Sequence, residues 1–106
     1  ISMIRGNSNI MTLSIKDSNG NDINLKEGDK LYFTVKRNTS DKEAVLQKEI
    51  TIFEDGNATI DIRPEDTRNL YFGKYLYDIR LDYSNGDVIT LIKPAPFVIE
   101  EGVSYE

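Results

Sequence analysis

Oxygen-bearing side chains alternate over Asp17-x-Asn19-x-Asn21, the spacing that opens a calcium loop, where the cation gathers about six to eight hard ligands. The match then fails. Asp22 stands where the loop needs glycine and Gly28 where it needs a bidentate glutamate, so the segment reads as a turn whose Asp and Asn side chains bind nearby backbone. Asp29, Asp55, Asp66 and Asp87 sit in turn-like contexts and take the same reading. Asp78 and Asp82 share one face of a strand and could be nominated as a glycosidase carboxylate pair, but Lys74 and Arg80 beside them favour ordinary surface charge pairing. Gly73-Lys74 lacks the upstream glycine and the following Ser or Thr of a phosphate-binding loop.

The composition narrows the chemistry further. There is no cysteine and no histidine, which removes disulfides, thiolate ligands and the side chain best suited to moving protons near neutral pH. No catalytic residue, metal ligand or cofactor is therefore expected. Eighteen acidic against thirteen basic residues give a net charge of -5, with the basic ones dispersed, so no stripe is available to neutralise a nucleic-acid backbone. No apolar run approaches the ~20 residues of a membrane helix, and Ile1-Ser2-Met3-Ile4 is too short for a signal peptide. The expectation is a soluble chain with neither nucleic acid nor membrane as a partner. Asn38-Thr39-Ser40 and Asn57-Ala58-Thr59 match the glycosylation pattern, which carries meaning only in a eukaryotic secreted protein.

Aromatic rings are the remaining candidates for contact. Tyr32, Tyr71 and Phe72, with Tyr83, could present faces as a sugar platform or a protein-contact patch, although core packing and edge protection explain them equally well.

The elements that would position these residues are strands. From Tyr75 to Tyr83 apolar residues occupy every second position, so Tyr75, Tyr77, Ile79, Leu81 and Tyr83 face a core and Lys74, Asp78, Arg80 and Asp82 face water. Leu76 is the misfit on the wet side. Residues 10–16 repeat the pattern with Met11, Leu13 and Ile15 inward, residues 30–37 with Leu31, Phe33 and Val35, and residues 58–62 with Ala58, Ile60 and Ile62. A short extended piece is expected at 23–25. Ser40-x-x-Glu43 resembles a capping box, but the β-branched run that follows favours a turn over 38–43 and a strand over 45–53.

Glu54-Asp55-Gly56-Asn57 predicts a tight hairpin, and Asn85-Gly86 predicts a second one of type I′. Pro64 with Glu65 and Asp66 predicts one helical turn near residues 64–70. Strands at 88–93 and 97–100 complete the set, separated by Pro94-Ala95-Pro96 at a sheet edge or strand switch.

About seven short strands at regular spacing predict a single all-β domain over residues 1–106, an antiparallel immunoglobulin-like two-sheet sandwich. Residues 1–8 are expected to be a flexible arm, with Ile1 and Ser2 an extension ahead of Met3. Leu70-x-x-Gly73-x-Tyr75 places a tyrosine where such domains carry a tyrosine corner, its hydroxyl bonded to upstream backbone. The alternative is a strand aromatic with its hydroxyl in water.

The ordered set of segments resembles a known group. Gly28-Asp29-Lys30-Leu31-Tyr32-Phe33-Thr34-Val35-Lys36, Leu46-Gln47-Lys48-Glu49-Ile50, Pro64-Glu65-Asp66-Thr67, Gly73-Lys74-Tyr75-Leu76-Tyr77-Asp78-Ile79-Arg80-Leu81 and Gly86-Asp87-Val88-Ile89-Thr90-Leu91, before Phe97-Val98-Ile99, resemble small proteins and N-terminal domains of tailed phages and prophages of Gram-positive bacteria, including baseplate upper-protein-type modules. The likeness spans residues 10–100. It implies a non-enzymatic virion structural module of the tail or baseplate, found in the particle or in the host bacterial cytoplasm during assembly. Other virion proteins, or further copies of the chain, would be its partners. The sequence departs from larger baseplate proteins by ending soon after the last strand, so the resemblance does not carry over any receptor-binding or trimerising part known in them.

Overall fold

The computed structural model describes residues 1–102 except positions 18, 24 and 55. Seven strands and one helical turn follow one another: β1 (Ser2–Ile4), β2 (Asn9–Ser14), β3 (Lys30–Lys36), β4 (Leu46–Ile50), β5 (Asn57–Ile62), α1 (Pro64–Thr67), β6 (Gly73–Asp82) and β7 (Val88–Glu100). They form a five-stranded sheet, in the order β1-β7-β6-β3-β4, and a two-stranded sheet of β2 and β5. The pairing is antiparallel except for β1, which runs parallel to β7. The larger sheet is curled into a half-barrel.

Alternation decides which face is dry. Leu31, Phe33 and Val35 on β3, Tyr75, Tyr77, Ile79 and Leu81 on β6, and Ala58, Ile60 and Ile62 on β5 are all buried, while Ile15 closes the core just beyond β2. Phe33, Tyr77 and Phe97 pack as a tilted and edge-to-face trio with ring centroids 5.6 to 6.3 Å apart, the arrangement that aromatic quadrupoles favour. Pro64 opens α1, and the Arg63 N–H donates to the Asp66 carboxylate at 2.7 Å, satisfying an amide at the start of the turn.

Several elements differ from the sequence expectation. β4 ends at Ile50 instead of running to residue 53: its ladder with β3 closes at the Leu31–Ile50 pair, and β3 begins one residue earlier at Lys30, leaving nothing opposite 52 and 53. The 38–43 segment turns as expected, with the Asp41 N–H donated to the Asn38 carbonyl. Residues 88–100 form one strand and are not split at Pro94-Ala95-Pro96. Two register shifts against β6 absorb the irregularity, and much of β7 lies at the sheet edge, where a missing N–H breaks no ladder bond.

The Asn85-Gly86 hairpin is not the two-residue type I′ turn. The Gly86 N–H bonds the Tyr83 carbonyl and the Tyr83 N–H bonds the Asp87 carbonyl, which gives a three-residue loop with Gly86 at φ +98. The first eight residues do not stand apart as an arm. Residues 2–4 are β1 with Met3 in the core, and beyond them the Gly6 N–H donates to the Thr67 hydroxyl, itself fully buried. Backbone pairing and one buried methionine outweigh the freedom of a terminus here. Ile23 and Leu25 pack against the core outside any strand, and the expectations for Ser18, Asn24 and Asp55 lie outside the described residues.

Candidate interaction surface

The three aromatic candidates are not brought together. Tyr32 lies half-buried on the outer side of β3, opposite Arg80, whose guanidinium stands 5.0 Å from the ring centroid. Tyr71 and Phe72 are exposed in the corner before β6, with Arg37 over Tyr71 at 5.8 Å and Arg5 over Phe72 at 4.1 Å. Seven strand positions separate Arg80 from Gly73, which at ~3.3 Å per residue is ~23 Å. A single sugar platform built from these rings is therefore not assembled.

Tyr75 resolves its own alternative. Its ring is buried and its hydroxyl donates to the Tyr71 carbonyl at 2.9 Å, the bond of a tyrosine corner. Arg5 Nη1 also donates to the Leu70 carbonyl, so β1, the corner and the start of β6 are held together.

Several carboxylates are occupied by structural work. Asp17 accepts from the Asn19 and Asn21 amides at 2.9 and 3.0 Å, which makes it a turn former. Among the described residues no cluster of metal-ligating side chains gathers, and no helix is long and apolar enough to cross a membrane. Asp82 is held by Arg80 at 2.8 Å. Asp78 lies four residues away along the same strand, ~13 Å at the usual rise and beyond the ~5–9.5 Å of a glycosidase pair.

Two carboxylates form the local turn contacts their context predicted and add long-range contacts that spacing did not reveal. Asp29 is buried and accepts from the Lys26 amide and, across the fold, from the Ser84 amide, both at 2.8 Å. These amides hold its carboxyl below the ordinary value, the Lys26 contact most strongly. Asp66 meets Lys48 at 2.6 Å where β4 faces α1. Burial would raise its carboxyl, but the Lys48 ammonium and the Arg63 amide together outweigh that and leave it lowered.

Two of the grooves among the described residues bear on these candidates. One, about 370 Å³, lies on the outer face of the larger sheet among Thr34, Gln47, Asp78 and Pro94, and Leu76 helps to line it, which accounts for the apolar misfit in the β6 pattern. The other, about 520 Å³, runs between the chain leaving β4 and the free side of β5, lined by Ile50, Thr51, Ile52, Glu49, Glu54 and Thr59, with Thr12 and Asn57. Ile52 is 76% exposed there, although its β-branched neighbourhood predicted a paired strand. The short span of β3 was the signal for this, since it leaves residues 52 and 53 with no residue opposite them.

Compared with known proteins, the chain matches no family model, no curated sequence and no solved structure.

Proposed function

We propose that this chain is an immunoglobulin-like sandwich serving as a non-enzymatic assembly module of a tailed-phage or prophage particle, in the tail or baseplate. It would act through protein–protein contacts with other virion proteins, in the particle or in the host cytoplasm during assembly. The fold reading draws support from strand order. β2 with β5 corresponds to the B–E pair, and β7-β6-β3-β4 to G-F-C-C′, with β1 alongside β7. The Tyr75 hydroxyl bond at the corner before β6 fits the same scheme. The smaller sheet departs from it by having two strands.

The observation that carries the contact reading is where apolar side chains reach solvent. Ile52, Ile10 and Val88 are 76%, 63% and 58% exposed, and they lie on or beside strands that border open sheet edges. Strand addition and flat side-chain contact both use such rims.

The phage assignment rests on the ordered resemblance of segments from Gly28 to Ile99. Mass spectrometry of purified particles from the phage or prophage that encodes the chain tests it, together with the neighbouring genes. Incorporation in particles and flanking tail genes are the expected result. Absence from particles, with a polysaccharide-degradation operon around the gene, would overturn the assignment.

A further inference from the structure

We propose that the free edge of β5 is a docking slot for one extended, cationic segment of a partner protein, added as a further strand beside β5. The inference rests on the reading of the chain as an assembly module and gives that module a surface and a partner chemistry. Glu54 and Asn57 exchange both backbone hydrogen bonds, at 3.0 and 2.8 Å, which starts a hairpin whose next pairs would be 53 with 58 and 52 with 59. The hairpin does not continue. Residues 51–53 form no strand, among the described residues β5 beyond Asn57 pairs with β2 alone, and the groove of about 520 Å³ lies where the missing ladder would be.

The backbone of β5 is set to receive a strand. The Ile15 N–H bonds the Gly56 carbonyl, which fixes the phase of the β2–β5 ladder. By antiparallel alternation Ala58 and Ile60 spend their amides and carbonyls on β2, while those of Thr59 and Asp61 point to the free side. An unpaired row of this kind is a template for strand addition.

The walls select the occupant. Glu49 and Glu54 line the groove with no Lys or Arg among its lining residues, and Ile50 and Ile52 give apolar contact. Glu49 is shared with Lys30 at 3.5 Å, whereas Glu54 has no ion pair among the described residues. A segment alternating basic and β-branched residues complements this lining, and the net charge of -5 disfavours a second copy of the chain in the same place.

The test uses the full chain and a short acetylated peptide of alternating valine and lysine, followed by amide chemical shifts and titration calorimetry. Two control peptides are used, one with glutamate for lysine and one with N-methylated backbone. The expected result is saturable binding of the lysine peptide, with shifts concentrated at Thr51, Ile52, Thr59 and Asp61. Binding should be lost with the N-methylated peptide, weakened several-fold by Glu54→Lys, and abolished by Thr59→Pro, which removes an edge donor and leaves the β2 ladder intact. If Thr59→Pro does not fold, the N-methylated peptide on the unaltered chain carries the same test. Equal binding of the glutamate peptide, shifts on another edge, no binding, or a dimer of the free chain through β5 overturns the proposal. If the peptide fails and the chain is still found in particles, the assembly reading stands and only this slot falls. Peptide binding by a chain absent from particles leaves the slot and removes the phage role.

Discussion

Replacing Tyr75 with phenylalanine isolates one hydrogen bond. The ring stays in the core and under Arg37, 5.7 Å from its centroid, while the hydroxyl that reaches the Tyr71 carbonyl at 2.9 Å is deleted. A neutral bond of this length contributes about 1 kcal/mol net. For 106 residues, at ~2.1 cal/mol/K of unfolding entropy per residue, that lowers Tm by ~4–5 °C. Denaturant titration should agree, with a lower midpoint and an unchanged slope. Tyr77→Phe serves as the control, because the Tyr77 ring is also buried, in the trio with Phe33 and Phe97, but its hydroxyl bonds no described group. It should change Tm by a degree or less. Equal effects from the two substitutions, or none from Tyr75→Phe, would refute the tyrosine corner as a stabilising device.

Asp66 predicts a pH signature. Its carboxyl is lowered in the folded state, so the stability it contributes is complete above the ordinary value of ~3.9 and is lost as pH falls through the lower folded value. The stability gap between the native chain and Asp66→Asn, measured by urea denaturation, should therefore be widest near neutral pH and close below about pH 4. Gly28→Ala should cost about 1–2 kcal/mol for φ +96, and more because the new methyl would stand 3.1 Å from Ser84 Cβ. Gly20→Ala, at φ +83 with open space around it, should cost less in the same denaturant assay. Met3→Ala should destabilise by roughly 2 kcal/mol, since Met3 is a core residue, and a midpoint unmoved by the change would return residues 1–4 to the status of an arm. Calcium should leave Tm unchanged, because Asp17 already accepts from two amides.

Local alternation was readable wherever one face of a strand meets a core. Phe33, Ile60, Ile79 and their neighbours fall inside as their spacing required, and Pro64 opens a helical turn. Partnership was harder to read, because it depends on the length of a distant strand. Residues 51–53 have strand-forming side chains and no ladder: β3 begins at Lys30, so it supplies no residue opposite 52 and 53, and the observed pairing already closes at Leu31 with Ile50. Met3 looked like part of a loose terminus because parallel pairing with Ile99 joins residues almost the whole chain apart. The contact surface was legible as residue types only. Tyr32, Tyr71 and Phe72 are ordinary aromatic candidates in sequence, and the register of β3 against β6 is what separates them.

The same register explains why β5 stands out among the edges. An edge strand invites unwanted pairing unless something blunts it. β7 carries Pro94 and Pro96 and is irregular through two register shifts against β6, β4 turns Lys48 inward to Asp66, and β1 is three residues long. Each is a known form of protection. β2 and β5 have open edges in a sheet of two strands, and of these the β5 edge borders the acidic groove and the unpaired 51–53 segment. Protection withheld at that edge, next to an exposed Ile52, is consistent with an edge that is covered when the chain is at work. Hydrogen exchange separates the two possibilities. If the slot is vacant in the isolated chain, the Thr59 and Asp61 amides should exchange much faster than those of Ala58 and Ile60 and become protected only when a strand is added, whereas equal protection in the free chain would mean that the edge is already closed.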